Sequence, residues 1–192
     1  MNRVYFISTQ YLKEHSTINN NVDENLLNSA IWEGQTIHVQ QLLGTDLFDK
    51  ISDLIRTGNI ALPSNVEYKT LLNDYVMECV SYWAFYEAIP YIRFKVVNKG
   101  VESQSSEWSN PTDIQHLEYL QENVMNKAQF YSQRLTNYLL QNSNLFPEYH
   151  RNFEIDKMRP TNGNYFSGIV FDGGICPSER SIGKNKNAIE IL

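Results

Sequence analysis

One stretch limits what this chain can become: NVEYKTLLNDYVMECVSYWAFYEAIPYIRF, from Asn65 to Phe94. Tyr68, Leu72, Tyr75, Val76, Cys79, Trp83 and Tyr86 recur three or four apart, the spacing that stacks side chains on one face of an α-helix. Its first half has a polar back in Glu67, Lys69, Asn73 and Asp74, whereas Cys79 to Ile92 is nearly all apolar or aromatic. A central helix with a core-facing stripe of these seven residues, its second half buried all round, is therefore expected. Burial of each large apolar side chain stabilises by about 1.5–3 kcal/mol, so the remaining helices are expected to pack on this one.

The other segments agree with an all-α fold, a small bundle around that helix. Ser8 or Thr9 can cap a short helix through His15, preceded by an apolar run Val4–Ile7 that reads as an edge strand or as an arm docking on a neighbour. Asp23 starts a stronger helix whose face at α-helical spacing is Leu26, Leu27, Ala30, Ile31, Gly34, Ile37, Gln41 and Leu42. Gly34 on that face permits close approach of another helix, and Gly44 ends the run. Thr45 is placed to cap a helix of Leu47, Phe48, Ile51, Leu54 and Ile55, closed by Gly58, and Ser64 or Asn65 to cap the central helix. Pro90 should kink or stop that helix near Ile89. For Tyr91–Gly100 both a strand and a kinked helix fit, the helix being slightly favoured. Asn110, Pro111 and Asp113 signal the start of a long last helix with the face Ile114, Leu117, Leu120, Val124, Ala128, Tyr131, Leu135, Tyr138 and Leu139, reaching about Gln141.

From Asn144 onward the helical period is lost and Pro and Gly punctuate short apolar clusters. The division expected is a helical body, 1–143, and an extended C-terminal arm, 144–192. In that arm Tyr165, Phe166, Ile169, Val170 and Phe171 are the expected partner-binding anchors, because a lone extended tail cannot bury them, unless they return to their own core as an added strand.

Chemistry is sparsely signalled. His15, His38, His116 and His150 stand on different elements without metal-ligand spacing. Cys79 sits in the aromatic stripe, where a cysteine is an inert small hydrophobe rather than a nucleophile, and with Cys176 it suggests no disulfide framework but two reduced thiols. Asp113, Glu118 and Glu122 read as a solvated, dipole-favoured helix start rather than an acid/base pair. FDGG at 171–174 and NGN at 162–164 read as turns, since neither lies between a strand and a helix as a phosphate loop must. No enzyme, metal or cofactor is expected. A formal net charge of −6 disfavours tight binding to a phosphate backbone. The N-terminal segment turns polar too soon for an export signal and no run is long enough to span a bilayer, so neither secretion nor membrane insertion is expected.

The order QQLLGTDLFDKI, then EYKTLLNDYVMECVSYWAFYEAIPYI with VVNKGV behind it, then a long final helix, resembles the head-to-tail connector proteins of tailed bacteriophages, most nearly the adaptor or neck-ring proteins of crAss-like phages. The likeness covers about Asn2 to Gln141. It implies a structural virion protein: a homo-oligomeric ring, dodecameric by that likeness, lying beneath the portal, extending the DNA channel and joining capsid to tail. Implied partners are further copies of itself, the portal protein, other neck or tail proteins, and DNA in passing; the protein would be made in the host cytoplasm and end in the virion neck. On that reading the polar loop after Val101, with Glu102, Ser103, Gln104, Ser105 and Ser106, is the candidate for the channel wall. The competing expectation is a monomeric helical module for a small ligand or partner protein, with Tyr75, Trp83 and Tyr86 lining a pocket.

Overall fold

The structure, a computed structural model, describes residues 3–97, 100–103, 114–149 and 157–161. The fold is all-α apart from one two-stranded hairpin. Seven α-helices follow in order: α1 Thr9–His15, α2 Glu24–Glu33, α3 Gln40–Leu43, α4 Thr45–Arg56, α5 Val66–Leu71, α6 Met77–Arg93 and α7 Ile114–Gln141. The hairpin is β1 Phe94–Val97 against β2 Gly100–Ser103, antiparallel, with Phe94 opposite Ser103.

Two of the sequence-read helices contain a π-helical segment, Gly34–Val39 between α2 and α3 and Leu72–Val76 between α5 and α6. The first changes which face is buried. A π turn takes one residue more than an α turn, so the inward positions slip by one. The expected face ran from Gly34 to Ile37 and Gln41. Instead Gln35, His38, Val39 and Leu43 are buried, while Ile37 is exposed and Gln41 half-buried. At the slip, Gly34 lies against α6 so closely that a Cβ there would stand 2.7 Å from the Ala84 nitrogen. The close approach expected of this glycine is thus present, with backbone on the far side.

Helix α6 is the hub. α2, the π segment Gly34–Val39, α1 and α7 all pack on it. Of its expected stripe Leu72, Val76, Cys79 and Trp83 are buried, and Tyr68, Tyr75 and Tyr86 are half-buried against the same core. Pro90 does not end the helix at Ile89. It falls in the last turn, and α6 continues to Arg93 before Phe94 turns extended (φ −110°, ψ 127°). The two readings of Tyr91–Gly100 therefore divide at Phe94, helix before it and strand after it, and the polar loop begins as strand β2.

The ends of the helices show how local chemistry places them. Ser8 Oγ accepts the Tyr11 N–H at 3.1 Å to cap α1, and an Asp23 carboxylate oxygen accepts the Asn25 N–H at 2.9 Å to cap α2. Thr45 is not the cap of α4. Gly44 takes that position, with φ +76°, and the Thr45 hydroxyl points to another segment described below. Asn65 stands at the N-cap of α5, but its amide donates back to the Asn59 carbonyl instead.

Both ends of the described chain lie on the body. The run Val4–Ile7 is neither a strand nor an arm reaching outward: Phe6 and Ile7 are buried in the core, and Gln35 clamps the run by accepting the Phe6 N–H and donating to the Val4 carbonyl, both at 2.9 Å. The boundary expected after residue 143 also moves. Phe146 and Tyr149 are buried in the core, and the compact unit extends over Met1–Asn162, with Gly163–Leu192 as a second. A pair of aromatic side chains seated in the bundle keeps the chain from leaving it at Asn144.

Candidate interaction surfaces

The residues most suited to chemistry are scattered and mostly occupied. Cys79 is fully buried, and burial pushes its thiol up to about 12, against a smaller opposite pull from Ser132. Its Sγ lies 3.5 Å from Ser132 Oγ, the same oxygen that accepts Trp83 Nε1–H at 2.8 Å. A thiol so held has almost no thiolate at neutral pH and is no nucleophile. His15 stacks on Tyr11 at 3.8 Å, His116 is exposed on the first turn of α7, and His150 lies outside the described residues.

His38 is the informative histidine. The π slip turns it inward, where its ring stacks on Trp83 at 3.7 Å, meets Tyr86 edge-on and pairs through Nε2 with a Glu87 oxygen at 2.7 Å. Glu33 stands nearby with its carboxyl raised above the ordinary range, by burial first and by the Glu87 charge second. This knot ties α2 to α6. The α-helical periodicity gives no sign of it, because that periodicity aims Ile37 inward.

Among the described residues no group of three His, Cys, Asp or Glu side chains could hold a metal ion. Glu118 and Glu122 are both exposed on the early turns of α7; Asp113 lies outside the described residues. So do NGN, FDGG, Cys176, the anchors Tyr165, Phe166, Ile169, Val170 and Phe171, and the loop residues Gln104, Ser105 and Ser106. Glu102 and Ser103 are placed in β2. No described helix is long and apolar enough to cross a membrane.

Tyr75, Trp83 and Tyr86 do not line one pocket. Tyr75 stacks on Tyr138 at 3.9 Å and carries the Arg134 guanidinium over its other side, 4.8 Å from the ring centre, whereas Trp83 is nearly inaccessible behind His38.

The surface that stands out is the outer side of α7. Inward, Val124, Ala128, Leu135 and Leu139 are buried on α6, and Tyr82 stacks on Tyr131 at 4.8 Å. Outward, Phe130 is 64% exposed and Leu140 45%. In a chain with 22 acidic residues, the run from Asn123 to Pro147 contains none, and its only formal charges are Lys127 and Arg134. Phe130, Arg134, Asn137 and Gln141 edge a groove of about 360 Å³ floored by Tyr75 and Tyr138. Exposed aromatic and Arg side chains amid uncharged amides, with carboxylates missing, are the composition of an interface core rather than of ordinary surface. Residues 115–123 of the same helix hold no buried side chain, so about 14 Å of α7 runs past its packing on the body. Tyr119, 68% exposed, and Leu120 there edge a second groove of about 500 Å³ with His15, Tyr82 and Phe85.

A last surface lies at the α3–α4 corner, where Lys157–Thr161 returns to the body. The Thr45 N–H donates to the Met158 carbonyl and the Met158 N–H donates to Thr45 Oγ1, both at 3.0 Å. The Thr161 N–H donates to the Gln41 carbonyl at 2.8 Å, and Lys157 Nζ pairs with Asp46 at 2.7 Å. Pro160 covers Gly44: a Cβ on Gly44 would lie 2.8 Å from its ring. The positive φ of Gly44 was legible in LLGT; the strap seated on it was not.

One family model, described as a family of unknown function (DUF6712), matches residues 39–157, from the end of the first π segment to the first residue of the strap. No curated protein matches the chain, and no solved structure matches it.

Proposed function

Starting from a chain that belongs to the family of unknown function DUF6712, we propose that it is a structural virion protein, a head-to-tail adaptor whose copies close a ring below the portal, extending the DNA channel and joining capsid to tail. The observation that carries the reading is the outer side of α7: 25 successive residues without a carboxylate, exposing Phe130, Leu140 and Leu145. A ring subunit meets its neighbours through two different faces. The outer side of α7, with Lys127 and Arg134, is one such face. Its complement in charge is the side of the body where α2 begins with Asp23 and Glu24 and α4 carries Asp46, Asp49 and Asp53. The resemblance of LLGTDLF, AIPYI and NKG to phage connector proteins supports the same reading. So does an acidic chain, which lets DNA slide past a conduit wall without holding it.

The experiment is negative-stain imaging of the purified chain, alone and mixed with portal rings, with and without residues 163–192. A deletion beginning at 144 removes Phe146 and Tyr149 from the core and tests folding instead. Annular particles that stack on portal, with docking weakened by the 163–192 deletion, are the expected result. A chain that stays monomeric in every mixture contradicts the proposal.

A further inference from the structure

The α3–α4 corner is built to receive an extended peptide. The first turn of a helix has N–H groups, and the last turn carbonyls, without partners inside the helix. Here one of each is answered from outside: the Thr45 N–H at the start of α4 by the Met158 carbonyl, and the Gln41 carbonyl of α3 by the Thr161 N–H. Gly44 between them has no side chain, and the vacancy is where Pro160 rests. Asp46 takes the Lys157 ammonium, and Asp49 and Asp53 continue the acidic side of α4 near a segment whose other charge is Arg159. A basic, proline-containing peptide of five residues is thus read by backbone polarity, by shape and by charge.

What fills the socket brings little buried apolar surface. Met158 is 42% exposed, and Arg159 and Thr161 are exposed. The attachment is therefore mainly hydrogen bonds, each contributing about 1 kcal/mol net, and one partly exposed ion pair. Residues 150–156 separate the strap from Tyr149, the last core residue before it, and such a length of chain can span at most about 25 Å. The same bonds form with the strap of any copy, because they involve only residues 41–46 and 157–161.

We propose that this corner is the socket for the strap of a second copy: in the assembled protein Lys157–Thr161 of one chain seats on Gln41–Asp46 of its neighbour, linking copies by exchange of an element that each already possesses. The inference rests on the ring reading above. Within a ring the neighbour's strap is held at an effective concentration in the millimolar range, so a weak five-residue attachment suffices to occupy the socket.

Two tagged full-length chains test it, one carrying Thr45→Cys and the other Met158→Cys, both with Cys176→Ser; Cys79 is buried and serves as an internal unreactive thiol. They are mixed, oxidised and run on a non-reducing gel, beside a control pair in which Ser64→Cys, exposed in the α4–α5 connection, replaces Thr45→Cys. The expected product is a covalent dimer bearing both tags, several-fold above the control. A Thr45→Cys/Met158→Cys double variant should likewise give a ladder of joined chains. If the double variant instead closes within single chains, or no product exceeds the control, strap exchange is overturned. Asp46→Cys with Lys157→Cys repeats the test should the first pair fold poorly. Particle mass measured on the same samples separates the two claims: assemblies without cross-chain product leave the ring standing and remove the exchange, whereas monomers throughout remove the ring.

Discussion

Replacing Gly34 by Ala tests the packing of α2 on α6, and two effects of opposite sign compete in it. In an ordinary helix interior, Ala in place of Gly stabilises by about 1 kcal/mol. Here the new Cβ would stand 2.7 Å from the Ala84 nitrogen and 3.0 Å from both the Ala84 Cα and the Trp83 carbonyl carbon. All three are backbone atoms of the hub helix, so no side-chain rotation relieves the contact and the helices must move apart. Overpacking of this kind costs about 1–3 kcal/mol, and the parting also loosens the His38–Trp83 stack beside it. The clash wins, with a net loss of about 1–2 kcal/mol. For a chain of this length that lowers Tm by about 2–8 °C. Thermal unfolding followed by far-UV circular dichroism measures the shift, and near-UV dichroism reports the Trp83 environment. A Gly34→Ala protein as stable as the parent, or more so, refutes the reasoning, since propensity alone would then decide the outcome.

Other substitutions and pH test separate parts of the account. Gly44→Ala meets both the Pro160 ring and a φ of +76°, so it should cost about 1–2 kcal/mol and release the strap, read as faster tryptic cleavage after Lys157 at unchanged helix content. In a Cys176→Ser background Cys79 should ignore Ellman's reagent in the native state at pH 8 and react in full once urea unfolds the chain; rapid native labelling would contradict its burial. Alkaline stability follows from the same group and from Tyr11, whose hydroxyl is likewise pushed up to about 12, by burial first and then by Glu78. Both hold their protons in the folded state at pH values where the unfolded chain loses them. Stability is therefore fully present below about pH 8.5, the ordinary thiol value, and falls as pH rises toward 12, a trend that urea titrations across that range measure.

What the sequence made legible, and what it did not, divides along physical lines. Local rules worked where local chemistry decides: Ser8 and Asp23 as caps, the positive φ of Gly44 and Gly58, the end of the last helix at Gln141, the close approach at Gly34. They failed where tertiary packing changes the count. A periodicity argument assumes 3.6 residues per turn, and the π segment Gly34–Val39 inserts one residue, so Ile37 was read as buried and the His38–Glu87 pair went unseen. The return of the chain at Phe146, Tyr149 and Lys157–Thr161 was equally invisible, because Pro and Gly disperse the helical period there while isolated aromatic residues still find the core. The outer side of α7 is the converse case. Its want of carboxylates is plain in the sequence, but only the structure shows that Phe130 points away from the body.

The claim that this outer side joins copies of the chain meets its most direct test in particle mass. Mass photometry of the parent and of a Phe130→Asp, Arg134→Glu variant should show an assembled species for the parent. The variant should give a monomer near 22.4 kDa with unchanged circular dichroism, because both side chains are exposed and contribute little to folding. An assembled variant indistinguishable in mass from the parent would contradict the account.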